Sequence, residues 1–271
     1  MSIVGITDML VERSVFSNTG QGAGTPPMAG IDIEPDDTSD ATVNLTLRDC
    51  VSRNNIGGGY DISLKRNNAS TYLAPKPPLS ILFDNCSVEG SGDFQPAAPG
   101  KYTTNIDGSR GGYNINGIAT GTRGQITIRN ALVQDTPRPG IFLSDIAPAG
   151  AHVLFESVEL RHVATNLSVL APKSGVPRHV IASAPITILR ECRLGLPYCY
   201  VIAQCCAASF ANVTVVDEKK RPFMWVDAAG GPPGTEVHQS ITGNVTVTNK
   251  YGCQVGGAGT TSLNITCKKA Q

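Results

Sequence analysis

The chain has no surplus of charge: 22 Lys and Arg balance 22 Asp and Glu over 271 residues. A protein that neutralises a phosphate backbone needs a basic excess, so nucleic acid is excluded as a principal partner. No apolar run approaches the ~18 residues of a spanning helix, so no membrane span is expected. The opening MSIVGITDML lacks a basic region, a long apolar core and a small-residue cleavage site, so it is not read as a signal peptide. No segment pairs a capping signal with a 3.6-residue apolar period over a helical length. His152, His162, His179 and His238 are scattered and suggest no Ser/His/Asp arrangement. Paired C-x-x-C spacings are missing, which argues against zinc. The single tryptophan, Trp225, lies in PFMWVDAAG and reads first as core.

What is present is turn chemistry and a recurring phrase. Gly 29 and Pro 18 suit a chain made largely of turns. The phrase is a short apolar strand, a small residue, a turn, and a second strand that usually opens with Gly. Its first half reads MLVERSVFSN ending at Asn18, NLTLRDCVSRNN at Asn55, SILFDNCSVEG at Gly90, QITIRNALVQD at Asp135, HVLFESVELRH at His162 and ITILRECRLG at Gly195. Its second half reads GIDIEP from Gly30, GYDISLK from Gly59, GIATG from Gly117 and GIFLSD from Gly140. The small residue is Ser14, Cys50, Cys86, Ala131, Ser157 and Cys192, at spacings of 36, 36, 45, 26 and 35. A constant strand phrase with variable spacing means fixed strands and variable turns. Repeats of this length mean a stacked architecture in which each unit buries its apolar face on the next.

A strand that returns to one register after each loop implies parallel stacking, about 4.8 Å per coil. The pattern resembles the pectate-lyase-like superfamily of right-handed parallel β-helices, from roughly Gly5 onward and most closely between Leu10 and Asp145. The expected fold is all-β: one right-handed parallel β-helix over 1–271 with about seven to nine coils, its phrase loosening in the cysteine-rich 193–271. Asn18 and Asn54, each four residues past the small residue, resemble the stacked turn asparagines of that superfamily. No capping helix is visible at either end, so the chain is expected either to be part of a longer secreted protein or to have its ends covered by a partner.

On the second strands, alternation puts Ile31, Ile33, Tyr60, Ile62 and Leu64 inward. Asp32, Glu34, Asp61, Ser63 and position 65 then face outward. Asp32 should stand beside Asp61, Glu34 beside Ser63 and Asp36 beside Lys65, with Ala119 over Asp61 and Arg123 near Lys65 one coil on. The coil after that brings Phe142 and Ser144. Like charges one coil apart need compensation. Asp32, Asp61 and Glu34 are therefore candidate oxygen ligands for calcium. The alternative is a solvated face neutralised locally by Lys65 and Arg66.

The resemblance implies an acidic polysaccharide bound along this face. It also implies a lyase or epimerase that neutralises the uronate carboxylate and removes the neighbouring proton with Lys or Arg. Lys65, Arg66 and Arg123 are then the candidate catalytic bases and neutralisers. Glu34, Ser63 and Phe142 would contact substrate, and Tyr60 and Tyr113 are weaker acids. The long insertion from Asp93 to Gly112 could overhang the face as a groove wall. Neither a paired-Asp hydrolase signature nor a D-P-H-E motif is present. Seven N-x-S/T sequons, at Asn44, Asn68, Asn85, Asn166, Asn212, Asn244 and Asn264, stand against roughly two by chance and suggest an extracellular glycoprotein. Cys199 with Cys205 or Cys206, and Cys253 with Cys267, are disulfide candidates. Cys50, Cys86 and Cys192 read as small buried residues, with a Cys50–Cys86 bridge open. The competing expectation is a non-catalytic structural or adhesive module that self-associates through uncapped coil ends.

Overall fold

The structure, a computed structural model, describes residues 1–20, 27–37, 39–64, 77–92, 111–118, 122–136, 139–144, 151–156 and 158–161, and beyond these the backbone of ten further strands. The chain begins β1 (Ser2–Ile3), β2 (Ile6–Glu12), β3 (Val15–Ser17), β4 (Ile31–Ile33), β5 (Thr42–Arg48) and β6 (Val51–Arg53). It continues β7 (Tyr60–Ser63), β8 (Leu79–Asp84), β9 (Ser87–Glu89), β10 (Tyr113–Asn116), β11 (Gly124–Arg129) and β12 (Leu132–Gln134). Then follow β13 (Pro139–Ser144), β14 (His152–Glu156), β15 (Glu159–Arg161), β16 (Thr165–Leu170), β17 (Arg178–Ser183), β18 (Thr187–Leu189) and β19 (Val201–Gln204). The last are β20 (Cys206–Asp217), β21 (Met224–Asp227), β22 (His238–Asn249), β23 (Val255–Gly256), β24 (Thr260–Leu263) and β25 (Thr266–Lys268). Among the described residues there is no helix.

The strands form three parallel sheets. The first is nine-stranded, β1-β4-β7-β10-β13-β16-β19-β21-β23; the second is β14-β11-β8-β5-β2; the third has 11 strands running from β24 to β3. From β1 to β15 the chain visits first, second and third sheet in strict rotation, and each strand pairs with the one three places on. This stacking in strand order is consistent with a parallel β-helix. Beyond β15 the rotation loosens, and the 12-residue strands β20 and β22 each pair with two strands on one side.

Period-2 alternation fills the interior. Leu45, Leu47, Ile81, Phe83, Ile126 and Ile128 enter from the second sheet, and Ile31, Ile33, Tyr60, Ile62, Tyr113 and Ile115 from the first; all are buried. Tyr60 stacks on Tyr113 at 5.0 Å, and Phe83 packs against the two rings at 5.1 and 5.4 Å. Tyr113 donates its hydroxyl to Cys86 O at 3.0 Å. Both phenol pKa values are pushed up, first by burial.

A two-residue corner joins second sheet to third. Its first residue is left-handed in every described coil: Arg13, Asp49, Asn85 and Asn130 have φ of 47°, 53°, 54° and 53°. Asn and Asp tolerate this region best, which explains their recurrence. The second residue points inward and is small in the first four coils: Ser14, Cys50, Cys86 and Ala131. Cys50 and Cys86 are buried free thiols, so the bridge left open between them is not formed. Burial pushes the Cys86 thiol up to about 12. In the next coil the phrase misleads. Leu132 pairs with Glu159, which places buried Val158 rather than Ser157 on this rung. Glu159 in turn pairs with Thr187, 28 residues on rather than 35. Cys192 lies outside the described residues.

The turn from third sheet to first carries a second left-handed rung, Asn18, Asn54, Gly90 and Asp135, at φ of 59°, 53°, 59° and 55°. The residues that follow form a polar ladder. Asn55 accepts the Thr19 N–H at 3.0 Å and donates to Phe16 O at 3.2 Å and Ser52 Oγ at 2.9 Å. Ser91 Oγ accepts the Asn55 N–H at 3.3 Å, and Thr136 donates to Ser91 O at 2.6 Å. The glycines just before β4, β7 and β10 (Gly30, Gly59 and Gly112) are steric. A Cβ on Gly112 would lie 2.7 Å from Val133 Cγ1 and closer still to Gly140 O. Outside, the last positions of the second-sheet strands alternate in charge: Glu12, Arg48, Asp84, Arg129 and Glu156 stand in register. Arg48 reaches Glu12 at 2.8 Å, and Arg129 reaches Asp84 at 2.7 Å.

Candidate functional site

The outward face of the first sheet holds most of the predicted site. Ser2 pairs with Asp32, Asp32 with Asp61, Asp61 with Asn114, Asn114 with Phe142, and Phe142 with Ser168. The expected juxtaposition of Asp32 and Asp61 is therefore the observed register. Glu34, one residue past β4, is half-buried, as are Asp32 and Ser63.

Three expectations are corrected. The third-coil strand is not GIATG from Gly117 but β10, which opens after Gly112; the stack of Gly30, Gly59, Gly112 and Gly140 sets that register. The longer glycine-rich stretch offered two starts, and only Gly112 puts Tyr113 on Tyr60. Asn114, not Ala119, consequently stands over Asp61. Arg123 is displaced by the same shift. It precedes β11 on the second sheet, exposed, with its carbonyl accepting the Leu79 N–H at 2.9 Å. Tyr113, expected as a weak acid, has its ring in the interior, and burial holds its phenol protonated.

Asp61 is also less open than alternation alone implies: it faces outward yet is 1% exposed. Asn114, likewise 1% exposed, takes the Gly111 N–H on Oδ1 at 3.2 Å. Its Nδ2 is buried without a hydrogen-bond partner among the described residues, over Gly58, whose missing Cβ leaves room for it. Ser63 donates to Asn116 Oδ1 at 3.2 Å at the far end of the same strands. Phe142, 5% exposed, closes the polar part of the ladder. Asn114 and Asn116 were missed as site residues. The alternation YNIN after Gly112 was the signal, obscured by the competing Gly117.

Two carboxylates, an amide and an aromatic ring stand one per rung at about 4.8 Å, Asp32 half-buried and Asp61, Asn114 and Phe142 buried. Stacked carboxylates favour a cation or hydrogen-bond donors between them. Calcium takes six to eight oxygens, roughly, and two carboxylates with Glu34 nearby fall short of that shell. Among the described residues, no three His, Cys, Asp or Glu side chains gather closely enough to hold a metal ion. Lys65, Arg66 and Asn68 lie outside the described residues, as do 93–110 of the predicted overhang. Asn44 and Asn85 are exposed, and their amides donate to Asp8 at 2.7 Å and Asp49 at 2.6 Å. The side chains of Asn166, Asn212, Asn244, Asn264, Cys199, Cys205, Cys206, Cys253 and Cys267 are outside the described set; Cys206 opens β20 and Cys267 pairs with Val247. The chain matches no family model, no curated protein and no solved structure.

Proposed function

We propose that this chain is a right-handed parallel β-helix of the pectate-lyase-like kind that takes an acidic polysaccharide along the outward ladder of its first sheet. The reaction is elimination or epimerisation at a uronate. The observation that carries the reading is the one-rung register of Asp32 on Asp61, continued by Asn114 and Phe142. Repetition of polar groups along the stack axis matches repetition along a polymer. Asp32, Asp61 and Glu34 do not themselves gather into a three-ligand site, so in this reading Asp32 and Asp61 would add two carboxylates to a calcium ion bound chiefly through the sugar carboxylate. Such an ion would neutralise the sugar's charge. Lys65 or Arg66, two and three residues past β7 in the sequence, remove the proton on the carbon beside that carboxylate. Loss of the proton with cleavage of the neighbouring glycosidic C–O bond gives an unsaturated sugar end; return of a proton to the opposite face gives the epimer. Arg123, just before β11, is the further candidate for neutralising the substrate. Seven sequons support an extracellular setting.

The test is incubation of the chain with a panel of uronate polysaccharides, with and without calcium, following ultraviolet absorbance of unsaturated ends and proton exchange at the ring carbon. Calcium-dependent turnover that Asp61→Asn abolishes supports the reading. Absence of both signals on every polymer refutes catalysis. It leaves the second reading, a structural or adhesive module of an extracellular assembly, which the seven sequons also suit.

A further inference from the structure

The row that carries Asp32, Asp61, Asn114 and Phe142 does not stop at Phe142. Strand pairing carries it rung by rung through Ser168, Ile202 and Trp225 to Gly256. The single tryptophan of the chain therefore stands in line with the acidic pair. The motif PFMWVDAAG reads Trp225 first as core, and the register overturns that expectation. The interior row of the first sheet runs from the buried Ile62 and Ile115 through Leu143, Val169 and Ala203 to Val226. In β21 the interior parity thus falls to Met224 and Val226, and Trp225 and Asp227 take the opposite one.

The two halves of the outward row differ in chemistry. Asp32, Asp61 and Asn114 bring carboxylates and an amide, whereas Phe142, Ser168, Ile202 and Trp225 bring no charge. Polar groups return beside the tryptophan. Asp227 lies two residues on, and its register partner is Gln204, just as the partner of Trp225 is Ile202. Gly256 brings no side chain to the rung beyond Trp225. An indole offers a flat apolar surface to the C–H face of a sugar ring. A carboxylate accepts hydrogen bonds from the hydroxyls at the rim of such a ring, and a carboxamide both donates and accepts. An aromatic surface with a few convergent polar groups is the usual composition of a small-ligand site.

We propose that Trp225, with Ile202, Gln204 and Asp227 on the same face of the first sheet, forms a distal subsite that takes a sugar ring of the polysaccharide held at Asp32 and Asp61. The subsite rests on the polysaccharide reading above. Five rungs of about 4.8 Å put Trp225 about 24 Å from Asp61 along the stack, so one long chain engages both and a short one does not. Because this half of the row is remote from the proton that is removed, it contributes binding and no chemistry.

The single tryptophan makes its own emission the readout. The full chain is titrated with long oligomers of polygalacturonate and of alginate in the presence of calcium, and tryptophan emission is followed with and without acrylamide. Acrylamide is expected to quench the free chain, and one of the oligomers to lower the quenching constant at least threefold at saturation. By calorimetry, Trp225→Ala weakens that oligomer at least tenfold and Gln204→Ala about threefold. In turnover, Trp225→Ala raises KM with kcat unchanged, the mark of lost uniform binding. Circular dichroism and the melting temperature check that the variants fold; if Trp225→Ala does not, Gln204→Ala and the emission of the parent decide. Emission that acrylamide cannot reach, or that no oligomer alters while turnover proceeds, overturns the subsite and leaves the polysaccharide reading standing. A saturable emission response without turnover keeps the subsite and refutes catalysis alone. Silence in both overturns both.

Discussion

Replacing Asn55 by Ala tests whether the turn ladder holds adjacent coils together. Asn55 is 1% exposed and joins three segments: it accepts from Thr19 N–H and donates to Phe16 O and to Ser52 Oγ. Truncation orphans one backbone donor, one backbone acceptor and part of a hydroxyl network. An orphaned buried group costs about 1–3 kcal/mol. Thr19 and Phe16 are only half-buried, so water satisfies part of that loss. The expected destabilisation is therefore about 2–4 kcal/mol rather than the full sum. Because a stacked protein holds each unit only through its neighbours, the loss falls first on the coil formed by β1, β2 and β3. Urea unfolding should show a lower midpoint, and native-state hydrogen exchange should show the Thr19 amide losing protection before those of β8 and β11. Asn55→Asp retains the acceptor, loses both donors and buries a charge, so it should be at least as damaging. A shift below about 0.5 kcal/mol for Asn55→Ala, with Thr19 still protected, would refute the reasoning, since that is the scale of an ordinary surface change.

Two further outcomes follow from the interior and the outer ladder. The Arg129 hydrogen bond, and the charges of Arg129 and Arg48 beside it, hold the Asp84 carboxyl below its usual value. A depressed carboxyl contributes stability above the unfolded value near about 3.9 and loses it as pH falls through the folded value. Asp84→Asn should thus lower the melting temperature at pH 7, with the difference from the parent closing below about pH 4; a difference independent of pH removes the charge ladder as its cause. Gly112→Ala places a methyl 2.7 Å from Val133 Cγ1 and against the Gly140 carbonyl. Overpacking of this kind costs about 1–3 kcal/mol. A calorimetric scan showing no loss would mean that the first and third sheets can part at this corner.

The sequence by itself determined the architecture, because it resides in local chemistry that repeats. Small inward residues mark the corners at Cys50, Cys86 and Ala131, left-handed Asn and Asp precede them, and alternation assigns inside from outside. Those signals are short-range, and they suffice to place Asp32 beside Asp61. Where two local solutions competed, only the tertiary structure chose. Gly112 and Gly117 both open strand-like segments, and the choice was made by Tyr113 stacking on Tyr60 inside the coil, a contact 53 residues apart in the chain. The same packing put Val158 rather than Ser157 at a corner. The burial of Asp61 was likewise illegible, because alternation states which way a side chain points and not what lies above it.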